Sequence, residues 1–152
     1  LVAAAMLSAI AVSLSAFAIP VGTSKCFPIQ HLINVVAGVT LGPFYGVLAA
    51  FCTSLIRNVL GTGSLLAFPG SMIGALLCIL AACIGEVFGT GIIGGILCYP
   101  IAGFVMGQEA AVFTYVIPFL TSTAIGSVMA AVIIYSMKKV GALDQVNKIM
   151  GN

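Results

Sequence analysis

Charge is what this chain has least of. Lys and Arg number five, Asp and Glu three, and together they are 5% of 152 residues, against about 25% in an ordinary soluble domain. Hydrophobic residues make up 62%, and the mean hydropathy is +1.30. A water-soluble fold is excluded, and the chain reads as an all-α integral membrane protein. At about 20 residues per helical crossing, five or six spans consume it and leave no room for a soluble catalytic or nucleotide-binding domain.

Other absences narrow the function further. Lys138, Lys139 and Lys148 supply most of the positive charge and lie close to the C-terminus, so no basic patch suits nucleic acid. One histidine and five cysteines, Cys26, Cys52, Cys78, Cys83 and Cys98, fall at irregular spacings without a CxxC pair, which gives no metal site. Four of the cysteines read as small packing residues, and Cys26, in a loop, is the candidate reactive thiol. No GxxxxGK[ST] phosphate loop is present. Gly89-Thr90-Gly91-Ile92-Ile93-Gly94 fits GxGxxG but lies inside an apolar helix, not between a strand and a helix. No cofactor and no enzymatic activity are expected, and uphill transport would need a partner that hydrolyses ATP.

Proline and glycine divide the apolar sequence into six spans, at about 1–19, 30–41, 44–60, 70–82, 84–106 and 111–137, with a tail at 138–152, in a single membrane domain. Leu1–Ile19 is as apolar as a signal-peptide core but has no basic flank, and it reads as a retained span. The chain does not open with Met, which points to N-terminal sequence outside it. Gly42-Pro43 makes the second helix short or tilted. Ser71–Gly107 is about two crossings long and holds only Glu86 as a charge. Either a very tight turn lies near Ala81–Gly85 or a hydrophilic connection has been omitted, and the lack of any polar loop favours omission. Leu143, Val146 and Met150 share one face of a short interfacial helix.

Lysines near span ends stay in the cytoplasm, so both termini are placed inside. The Pro20–Pro28 loop, the Gly61–Pro69 loop and the Gly107–Ala110 turn then lie outside. The few strongly polar residues fall in clusters: Gln30, His31 and Asn34; Arg57 and Asn58; Glu86. Such residues are costly in hydrocarbon and usually face a protein interior or a water-filled cavity. Gln30 with Asn34, Thr53 with Arg57 and Glu86 with Thr90 are four apart and share helix faces. His31, Asn34, Arg57 and Asn58 are expected to meet at the outer face, with Glu86 nearer the cytoplasm and too far from His31 for acid–base cooperation. Amides, an imidazole and a guanidinium suit a small heterocycle, with Phe27, Phe68, Tyr99 or Tyr115 stacking on its ring. Competing readings are Arg57 snorkelling to the interface, His31 capping a helix and Glu86 bonded within the bundle. Small residues recur every four positions, including Ala5, Ala9 and Ser13, which suit either internal packing or the docking of another membrane subunit.

Longer runs carry a resemblance. Pro20-Val21-Gly22 with Lys25, Phe27-Pro28-Ile29-Gln30-His31 with Asn34, Gly42-Pro43, Arg57-Asn58-Val59-Leu60-Gly61-Thr62-Gly63, Ala67-Phe68-Pro69-Gly70-Ser71-Met72-Ile73-Gly74-Ala75 and Gly85-Glu86-Val87-Phe88-Gly89-Thr90-Gly91 resemble the ThiW family. Those are thiazole-specific S components of energy-coupling factor transporters. The resemblance implies a six-helix substrate-binding subunit that captures hydroxyethylthiazole and works with a transmembrane coupling subunit and two ATPases. It also implies that Pro20–Pro28 is a lid, that Ala5, Ala9 and Ser13 form the docking face, and that the subunit topples to release substrate. The alternatives are an S component for thiamine or a pyrimidine precursor, and a small intramembrane enzyme using His31 and Glu86. The charged loop that the family carries between its fourth and fifth helices is missing here, which again favours omission.

Overall fold

Proline opens two of the helices in this chain, and glycine separates them. The computed structural model describes the backbone of residues 1–21, 24–109 and 111–150, and their side chains except those of 24, 79–81 and 150. Gly22, Ala110 and the end of the C-terminal tail lie outside the described residues. The α-helices are α1 (Val2–Ser13), α2 (Pro28–Leu41), α3 (Pro43–Val59), α4 (Ala67–Glu86), α5 (Gly95–Pro100), α6 (Val116–Lys139) and α7 (Ala142–Met150). Two π-helical stretches, Val87–Gly94 and Ile101–Val105, flank α5. Pro28 and Pro43 sit in the first turns of α2 and α3, where the missing N–H is one that a helix leaves unpaired anyway. Between them Gly42 takes φ +82, a left-handed value that glycine adopts without steric cost, so the break at Gly42-Pro43 is present.

The first span is shorter than expected. α1 stops at Ser13, a 3-10 turn covers Leu14–Ala16, and the chain then extends. Ile19–Val21 (β1) pairs antiparallel with Ser24–Cys26 (β2), Ile19 opposite Cys26. The segment read as a loop is therefore a two-stranded ribbon, whose ladder pairs backbone groups that a loop would leave to water. The last span begins at Val116, because turns occupy Val112–Tyr115. α1 has 12 residues and α2 has 14, fewer than the roughly 20 that a perpendicular crossing takes. Two helical stretches, 82–105 and 116–139, are long and apolar enough to cross a membrane.

Residues 67–105 form a hairpin. Gly70 and Gly94 in one straight helix would stand roughly 36 Å apart. Yet a Cβ on Gly94 would lie 2.6 Å from Gly70 Cα, one on Gly89 would lie 2.8 Å from Gly74 Cα, and one on Gly85 would run into the Leu77 carbonyl. The stretches Ala67–Cys78 and Ala82–Val105 therefore lie side by side. The two arms meet through glycine, which is how helices approach closely in lipid.

Side chains are distributed inside out. Phe104 is 91% exposed, and Phe44, Val59 and Ile117 also face outward, while Arg57, Glu86, Thr53 and Thr90 are among the largest fully buried side chains. A water-soluble protein does the reverse. This is a membrane protein.

The register of α2 against α6 creates the space for a site. Cys26 Sγ meets the Pro118 carbonyl, the Phe27 N–H donates to Ser122 Oγ, and Pro28 and His31 pack on Gly126. The two helices therefore run parallel, but α6 starts ten residues before Gly126, about 15 Å of helix. The first turn of α2 is submerged, and a well is left above it. Gly141, at φ +72, turns the chain into α7, which packs back on α6 and α2 with Leu143 and Val146 half-buried.

Candidate binding site

The well is a cavity of about 820 Å³. Lys25 and Phe27 from the ribbon end, Gly61–Ser64 after α3, and Gln108 and Glu109 before α6 surround its upper part. These are the three connections that the sequence assigned to one side of the membrane. Lower down, Gln30 and His31 of α2, Arg57 of α3, Gly70 and Ser71 of α4, Thr90, and Tyr115, Phe119 and Ser122 line it.

A connected set of hydrogen bonds holds the walls. Arg57 Nη1 donates to Gln30 Oε1, and Arg57 Nη2 lies 3.4 Å from the Thr62 carbonyl. Its guanidinium carbon sits 3.7 Å above the centroid of the Phe27 ring, a cation–π stack. Gln30 Nε2 donates to Ser54 Oγ at 3.3 Å, and Ser54 Oγ is 2.9 Å from Ser71 Oγ. Asn34 Nδ2 places one bond on the Ser71 carbonyl (3.3 Å) and one on Glu86 Oε1 (3.1 Å). The same carboxylate oxygen is 2.7 Å from His31 Nδ1 and 3.1 Å from Thr90 Oγ1, and Cys78 Sγ is 3.5 Å from Oε2. Gly74 makes room for this carboxylate, since a Cβ there would lie 2.5 Å from Glu86 Oε2. Arg57 is 1% exposed and does not reach headgroups, and its Nε is buried without a partner among the described residues. That Nε is an orphaned donor inside the wall, and the guanidinium presents itself to the well through its stack on Phe27.

A family model described as thiamine-precursor transporter protein (ThiW) matches residues 1–140. The chain belongs to the ThiW family. No curated protein and no solved structure matches it.

In this ThiW chain the sequence-derived residues occupy three different positions. Gln30, His31, Arg57 and Tyr115 line the cavity. Asn34 and Glu86 are buried one layer behind it. Asn58 is turned away, its Nδ2 donating to the Ser54 and Ser64 carbonyls, which ties the loop after α3 to the helix. Tyr99 is 41% exposed and is not among the lining residues, and Phe68 is likewise absent from them. The separation expected between His31 and Glu86 is overturned by their 2.7 Å contact, because α2 starts at mid-depth. Ser54, Ser71 and Ser122 were not singled out, since Ser and Thr in apolar helices more often bond the carbonyl four residues back. Ala5, Ala9 and Ser13 face outward on α1, while Ala4, Ser8 and Ala11 are its buried face.

Cys26 does not keep the reactive role expected for a loop thiol. It is buried, its Sγ lies 2.9 Å from the Pro118 carbonyl, and burial pushes the thiol above its ordinary value, with hydrogen bonding to Ser122 offsetting only part. The thiolate is the nucleophile, so Cys26 in the folded protein is expected to resist iodoacetamide at neutral pH. Its labelling should climb only above the usual thiol range, as read by mass spectrometry of digested protein; rapid labelling at pH 7 would contradict the buried placement.

Proposed function

We propose that this chain is the substrate-binding S component of an energy-coupling factor transporter, and that it captures hydroxyethylthiazole, a thiamine precursor. The observation that carries the reading is the cavity itself, a closed-bottomed well of about 820 Å³ walled by Arg57, Gln30 and His31 with Phe27, Phe119 and Tyr115, in a chain of a thiamine-precursor transporter family. Ligand sites commonly measure about 300–1,000 Å³ and combine apolar walls with a few placed polar groups. The guanidinium of Arg57 and the amide of Gln30 suit the polar atoms of a small heterocycle, and the aromatic side chains suit its ring faces.

Six crossings with both termini in the cytoplasm, a well open to the outside and the ribbon at its rim complete the proposal. The coupling subunit and two ATPases implied by the resemblance would supply the energy, with Ala5, Ala9 and Ser13 offered to the coupling subunit. Isothermal titration of the purified protein with hydroxyethylthiazole tests it. Binding at micromolar concentrations is expected, and no heat under those conditions would remove the thiazole assignment.

A further inference from the structure

Glu86 has no task in that account. It is fully buried and does not line the cavity, yet His31, Asn34, Thr90 and Cys78 converge on its carboxylate. His31 stands between the carboxylate and the well: Nδ1 meets Glu86, while Nε2 has no partner among the described residues and His31 lines the cavity. A neutral imidazole carries one N–H, and the nitrogen facing a carboxylate holds it. Nε2 then turns a lone pair toward the ligand.

The charge tally points the same way. Arg57 is the other buried charge at this site, and no carboxylate lies within ion-pair distance of it among the described residues. Hydrogen bonds through Gln30, Ser54, Ser71 and Asn34 join it to Glu86 instead. With His31 neutral, one positive and one negative charge balance across this network.

We propose that Glu86 is a positioning residue that determines specificity without touching the ligand. It holds the Nε2 lone pair of His31 toward the well and balances Arg57, so the site takes an uncharged heterocycle bearing a hydroxyl donor and rejects charged relatives. The ligand class rests on the binding reading above; the tautomer does not.

Because the chain has one histidine, isotope-labelled histidine gives a single pair of ring-nitrogen signals by magnetic resonance. In the wild-type protein near pH 7 the expected result is a protonated Nδ1 and a bare Nε2. Two protonated nitrogens, or the proton on Nε2, would overturn the proposal whatever the protein binds. Calorimetry then compares hydroxyethylthiazole with its phosphate monoester in wild type and Glu86→Gln. A preference for the neutral compound of at least about tenfold is expected in wild type, shrinking about tenfold in the variant as net positive charge is exposed to the ligand. Both affinities falling together with their ratio unchanged would mean that Glu86 serves structure alone, and would overturn the specificity role. If wild type binds neither compound, the thiazole assignment fails while the nitrogen signals still decide the tautomer.

Discussion

Arg57→Met is expected to weaken hydroxyethylthiazole binding by about two orders of magnitude, because truncating one partner of a buried, hydrogen-bonded charge commonly costs about 2–5 kcal/mol. Three consequences of the truncation add up. The guanidinium charge disappears from the wall of the well, the cation–π stack on Phe27 is lost, and Gln30 Oε1 and the Thr62 carbonyl lose their donor. Methionine fills much of the same volume, so the loss is electrostatic more than steric. Arg57→Lys should restore little: an ammonium keeps the charge but has neither the plane that stacks on Phe27 nor the fork that reaches Gln30 and Thr62 together. Titration calorimetry on both variants, with thermal melting as a folding control, is the measurement. A lysine variant that binds as tightly as wild type would show that charge alone, and not the geometry around Phe27, makes Arg57 useful.

Gly94→Ala is expected to destabilise the bundle by about 1–3 kcal/mol, the usual cost of forcing extra atoms into a packed interior, which for a chain of this size lowers the melting temperature by several degrees. The clash is with backbone, not with a side chain that can swing away: the new Cβ would lie 2.6 Å from Gly70 Cα. The hairpin arms must separate to admit it. Because Gly70 and Thr90 both line the cavity and Thr90 Oγ1 is 2.9 Å from the Gly70 carbonyl, that separation should also lower ligand affinity. Gly103→Ala is the control, since a Cβ there meets nothing within 4 Å and alanine is the better helix former. Circular dichroism melting of the two variants in one detergent checks the contrast. Equal melting temperatures would mean that the arms are not held by glycine contact at that level.

How legible the site was depended on how unusual each residue is in its setting. Arg57, Gln30 and His31 stand out because strongly polar side chains are rare in an apolar chain, and all three line the cavity. Asn34 and Glu86 stand out for the same reason, but composition carries no depth, and they lie one layer behind. Tyr99 was chosen for chemistry alone and points outward. Ser54, Ser71 and Ser122 were invisible, since a hydroxyl in a membrane helix is ordinary until a second helix supplies its partner.

Depth was misjudged for one physical reason. Taking each helix to start at a membrane face puts the first turn of α2 outside and Glu86 toward the cytoplasm. Pro28 instead packs beside Gly126, partway along α6, and the hairpin brings Glu86 alongside Gly74 and Cys78. Fifty-five residues of sequence separation then close to 2.7 Å.

Apolar composition and scarce charge determined from sequence alone that this chain lives in a membrane, that its spans break at Gly42-Pro43, and which few polar residues to watch. Those properties are local, set by transfer energies and by backbone chemistry at single positions. The ribbon, the submerged start of α2, the well above it and the network from Arg57 to Glu86 were decided only by tertiary structure. They depend on the register between helices, and register is set by which surfaces fit together, a relation that no stretch of the chain carries by itself.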